Sequence, residues 1–114
     1  MLRPLLLALV LAGLSACATR QLQNGSQVPP GEPPGIAGLA DSQIRLAYGA
    51  PSFVRKDGVT EIWRYDAQSC RAFFFFYPSE GTQKVRHVET SPRGSAMAAD
   101  LTCLDAVRAQ AKLS

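Results

Sequence analysis

The sequence predicts an α+β domain: a small antiparallel sheet of three or four strands, packed by a short N-terminal helix and a C-terminal helix. Three observations predict it. Ile44, Ala47 and Tyr48 recur at helical spacing just before Gly49 and Pro51. Between Phe53 and Thr90 the chain is rich in aromatic and β-branched residues, broken by Asp57-Gly58 and by Pro78 to Gly81. From Ser95 to Lys112 the apolar residues return to a helical period. Strands joined by turns this short must run antiparallel, and with helices at both ends the pattern is α+β.

The first 37 residues carry no such pattern. Arg3 precedes an apolar run from Leu5 to Leu14, too short for a stable membrane span, which needs about 20 apolar residues. Leu14-Ser15-Ala16-Cys17 resembles the lipobox of bacterial lipoproteins. That resemblance implies that residues 1–16 are an export signal and that Cys17 is lipidated after cleavage before it. The membrane is then a partner through the lipid anchor. Ala18 stands where an inner-membrane retention signal would have aspartate, which points to the outer membrane of a Gram-negative bacterium, facing the periplasm. Residues 17–37 read as a tether, with Pro29, Pro30, Pro33 and Pro34 interleaved with Gly31 and Gly35. If extended, some 20 residues at about 3.1 Å each reach on the order of 60 Å. A proline-rich segment can also dock in an aromatic groove, but a spacer is what a lipidated domain requires.

The domain is expected over 38–114. Asp41 or Ser42 can cap the first helix, Gly49 can end it and Pro51 prevents its continuation. Val59 to Tyr65 reads as a strand with Val59, Trp63 and Tyr65 on one face and Thr60, Ile62 and Arg64 on the other. A second runs from Arg71 to Tyr77. A third, Lys84 to Thr90, reads as an edge because Lys84, Arg86, His87 and Glu89 crowd it. Ser95 can cap the last helix, with Met97, Leu101, Leu104 and Ala111 along one side and Cys103 and Val107 nearby.

Composition excludes several classes of function. The formal charge of +3 is spread over isolated arginines and lysines with no basic block, so nucleic acid is not an expected partner. Of the three cysteines, Cys17 belongs to the lipobox, leaving Cys70 and Cys103 as an even pair in an oxidising compartment, expected to form a disulfide. No metal site or other cofactor is expected, with one histidine in the chain. His87 has no nucleophile and orienting acid around it in sequence and reads as a solvated strand residue. No catalytic residues are assigned, and the chain does not read as an enzyme.

The aromatic residues are the best hint of binding. Phe73, Phe74, Phe75 and Phe76 alternate between the two faces of their strand, and Trp63, Tyr65 and Tyr77 extend the cluster. Helices can cover one face. The other must be hidden by a loop, by a second protein, by lipid or by another copy of this chain.

Gly38-Leu39-Ala40-Asp41-Ser42-Gln43-Ile44-Arg45-Leu46-Ala47-Tyr48-Gly49-Ala50-Pro51 resembles the signature helix of the BamE (SmpA/OmlA) lipoprotein family. Trp63-Arg64-Tyr65 and the stretches Arg71 to Tyr77 and Lys84 to Thr90 are similar to its strands. The resemblance implies a non-catalytic accessory of the machinery that folds β-barrel proteins into the outer membrane, bound to other subunits and to phospholipid. Where the family has a further helix before the signature one, this chain has its tether, so no partner-contacting residues carry over. The alternative is a small inhibitor or ligand-binding envelope lipoprotein that uses the aromatic sheet face.

Overall fold

The computed structural model describes residues 31–113; the expected export signal, the expected lipidation site Cys17 and the first part of the expected tether lie outside the described residues. The elements follow the order α1 (Asp41–Tyr48), β1 (Phe53–Asp57), β2 (Thr60–Asp66), β3 (Arg71–Ser79), β4 (Thr82–Ser91) and α2 (Leu101–Ala111). The four strands form one antiparallel meander in the order β1-β2-β3-β4. This is the α+β fold expected, with Phe53–Asp57 as the fourth strand.

Turn chemistry fixes the register of both outer hairpins. Gly58, at a φ of 63°, and Val59 link Asp57 to Thr60. Glu80 and Gly81 both have positive φ, as a type I′ turn requires, and link Ser79 to Thr82. Pro78 therefore lies inside β3 rather than in the turn. It is tolerated because β2 ends opposite Phe76, leaving β3 with a single neighbour there.

Both helices pack on one face of the sheet. From α1 come Ile44 and Tyr48, and from α2 come Cys103, Leu104 and Val107. Trp63, Tyr65, Ala72, Phe74, Phe76, Val85 and Val88 meet them from the strands. Tilted ring pairs, Tyr48–Phe74 at 4.9 Å and Trp63–Phe76 at 4.6 Å, join helix to strand and strand to strand. A disulfide between Cys70 and Cys103, with Cα atoms 6.0 Å apart, fastens the start of β3 to α2.

Three expectations are corrected. The folded part begins before residue 38: Pro33 is fully buried and Ile36 joins the core, so the end of the expected tether belongs to the domain. Gly38 N–H donates to Val85 O, Val85 N–H donates to Leu39 O, and Ala40 bridges Lys84, so this segment lines part of the β4 edge. That bridge also places the cap of α1 at Ala40, whose N–H donates to Gln43 Oε1. The last helix starts at Leu101, not Ser95, because Asp100 is the cap, accepting from the backbone N–H and hydroxyl of Thr102. Residues 92–99 instead fold against β4, where Thr90 N–H donates to Ala98 O and the Thr90 hydroxyl to Pro92 O. Met97 is thus not on the helix, and Leu101 is half exposed.

Candidate partner-binding face

Strand alternation divides the aromatic cluster. Trp63, Tyr65, Phe74 and Phe76 point under the helices, and both phenylalanines are 0% exposed. Phe73, Phe75 and Tyr77 point the other way and are partly exposed. Among the described residues no helix or strand covers them.

The antiparallel register turns this open face into ordered rows. Phe53, Arg64, Phe73 and Glu89 lie opposite one another across the four strands. The next row is Arg55, Ile62, Phe75 and His87. Apolar and charged side chains therefore alternate across the first row, while in the second Arg55 and His87 flank Ile62 and Phe75. The Arg64 guanidinium stands 5.2 Å from the Phe53 ring and donates to Asp66, which holds it flat on the surface. Phe53, on the short outer strand, is 51% exposed. Together these side chains line a shallow groove, mostly apolar at its floor with charges at its margins.

A bulge adds one more cation. Phe75 faces His87 while Phe76 faces Val85, so Arg86 is the extra residue of β4. Its guanidinium lies 5.2 Å from the Tyr77 ring. Arg55 and Arg86 have no carboxylate partner among the described residues, whereas Asp66 and Glu89 are both engaged by cations. The surplus charge on this face is positive.

His87 is not the solvated residue expected. Its Nδ1 is 2.6 Å from Glu32 Oε2, and its Nε2 is 3.1 Å from Glu89 Oε2. Burial pulls its pKa down, but the hydrogen bonds and charges of Glu32 and Glu89 outweigh that and hold it above the ordinary imidazole value. Both ring nitrogens face carboxylate oxygens, an arrangement that only the protonated ring satisfies by donating on both sides. The two carboxylates sit on opposite sides of the ring, and among the described residues no group of His, Cys, Asp and Glu converges on a metal position.

Sequence reasoning missed Phe53, Ile62 and Glu32. The first two join the face only through the strand register, and Glu32 reaches His87 across 55 residues of chain. No described helix is long and apolar enough to cross a membrane. No family profile, characterised protein or solved structure gives a match to this chain.

Proposed function

We propose that this chain is a non-catalytic, lipid-anchored lipoprotein of the outer membrane that faces the periplasm and binds an envelope protein through the open face of its sheet. One observation carries this reading: the alternating row of Phe53, Arg64, Phe73 and Glu89 across four strands with no covering element among the described residues. Aromatic residues and arginine are enriched where proteins meet, and partly exposed rings fixed on a sheet are ordered before binding. Charges interleaved with rings suit a partner that offers matching groups one by one. The lipobox ending at Cys17 supplies the location and the membrane attachment. The likeness of Gly38 to Pro51 to the BamE signature makes the barrel-assembly machinery the leading partner. The second reading is a small inhibitor of one periplasmic enzyme, acting through the same face.

Photocrosslinking in cells tests both. A crosslinking residue at Phe73 should capture barrel-assembly subunits, and Arg64→Glu should remove the adduct. A crosslinker at Leu46, which is exposed on α1, is the control for chance encounters. Capture of a single periplasmic enzyme would move the reading to the inhibitor. Equal adducts from Phe73 and Leu46 would overturn the proposed face. For the anchor, Cys17→Ser should release the protein from membranes, and unchanged membrane fractionation would refute it.

A further inference from the structure

We propose that Glu32 and His87 form a proton-dependent latch, which holds the segment from Glu32 to Ala40 along the edge of β4 and lets it open as the imidazolium loses its proton. The proposal stands apart from the identity of any partner.

The geometry is that of a two-sided clasp. Glu32 reaches β4 with both carboxylate oxygens. Oε1 accepts from the backbone N–H of Val88 at 2.9 Å, and Oε2 meets His87 Nδ1. The carboxylate thus takes the place of a neighbouring strand at a point where the β4 edge would otherwise be unpaired. Further along, Gly38 and Leu39 pair with Val85, and Ile36 and Pro33 seat in the core between these two attachments. The segment is fastened at its ends and has no helix or strand of its own before α1.

The chemistry of the ring makes the clasp sensitive to protons. A neutral imidazole has one N–H donor and one lone pair, and only the protonated ring donates on both sides. Here both nitrogens face carboxylate oxygens. Loss of the proton sets a lone pair against either Glu32 or Glu89. Glu89 is one-third exposed and has Arg93 at 3.8 Å to turn to. Glu32 is 8% exposed and has no other cation among the described residues. Deprotonation therefore leaves a buried carboxylate without its counter-charge, which favours withdrawal of Glu32 into water. Other charged neighbours do not replace the proton. Arg86 leans over Tyr77, and β3 offers His87 only the ring of Phe75, 5.3 Å away.

The sign follows from a pKa held above the ordinary value in the closed state. The proton's contribution to closing is at its full value below about 6.5, where the released imidazole is also protonated. Above that the opening equilibrium rises, by up to about tenfold per pH unit, until the raised pKa of the closed state is passed. Opening bares the Val85 and Val88 edge of β4. It also adds residues 32–38 to the chain leading to Cys17, roughly 25 Å at full extension.

Amide hydrogen exchange read by NMR on the full chain in detergent micelles tests this, with rates corrected for intrinsic pH dependence. Protection at Gly38, Val85 and Val88 should fall several-fold between pH 6 and pH 9, while that of Phe74 stays constant. The fall should track the titration of the His87 ring in the same sample. Glu32→Gln should give low, pH-independent protection at Val88, and His87→Gln should remove the pH dependence at all three amides. A flat profile in the unmodified chain, a fall that does not follow the His87 ring, or one that survives in His87→Gln would overturn the latch.

Discussion

The hydroxyl of Tyr65 donates to the carbonyl oxygen of Gly49 at 2.8 Å, tying the buried face of β2 to the residue that ends α1. The ring meanwhile sits edge-on to Phe74, 5.5 Å away. The phenol is buried and its pKa is pushed far up, chiefly by loss of hydration, with Arg45 pulling back only in part. Tyr65→Phe removes the donor and leaves a carbonyl unpaired near the core. The expected cost is about 1–2 kcal/mol in urea unfolding. Because the folded-state pKa is raised, the chain should lose stability as pH climbs past the ordinary phenol value near 10. Absorbance titration compared with Tyr65→Phe should show Tyr65 ionising only as the chain unfolds.

The run of phenylalanines contains residues of two different kinds. Phe74 is 0% exposed and touches the Tyr48 and Tyr65 rings, so Phe74→Ala opens a cavity that should cost about 3–5 kcal/mol. Phe73→Ala, one position away on the open face, should cost about 1 kcal/mol or less and leave the unfolding slope unchanged. Chemical denaturation of the two variants checks the assignment of faces. Equal losses would mean that the open face is covered.

How much of this was legible in the sequence depends on the range of the interactions involved. Tyr48, Gly49 and Pro51 announced α1 because caps and breakers act within one turn of helix. The alternation of Phe73 to Phe76 was equally local. Glu32 looked like part of a spacer because prolines and glycines surround it, and its meaning comes from two atoms of β4. Ser95 looked like a helix cap, but Thr90 captures the following loop, with its Oγ1 accepting from the Asp100 N–H at 2.8 Å, and the cap passes to Asp100. That Phe53 and Ile62 stand beside Phe75 could not be read for the same reason, although the alternation within each strand could. Register across strands, not spacing along the chain, brings these residues together.

Cys70 and Cys103 close a loop of 33 residues and join the sheet to α2, whose other attachments are few. Arg108 Nη2 donates to the Tyr48 hydroxyl at 2.7 Å, and Leu104 and Val107 supply the apolar contact. In the chain-entropy account, closing such a loop contributes about 3–4 kcal/mol. The double variant Cys70→Ala, Cys103→Ala should lose a comparable amount in denaturant, with α2 the first element to exchange its amides. Thiol labelling of the folded protein without reductant should find both residues unreactive. Full labelling would disprove the bridge.

Gly49 shows how a single backbone position can join two elements. Its φ of 84° and ψ of −169° fall in a region open essentially to glycine alone. Its N–H closes α1 on Arg45 O at 2.9 Å, and its carbonyl receives Tyr65. A methyl group there would also meet Ala111 Cβ at 3.2 Å, where α2 crosses α1. Gly49→Ala should therefore cost about 1–3 kcal/mol from backbone strain, with the contact to α2 adding to it. Combining it with Ala111→Gly separates the two. If strain dominates, the two losses in urea unfolding should simply add. If crowding of α2 dominates, Ala111→Gly should recover most of the loss, giving a coupling of about 1 kcal/mol or more. Because the 3.2 Å contact asks Ala111 to give by only a few tenths of an ångström while the strain at this φ is there whatever the space, strain should dominate and near-additivity is the expected result.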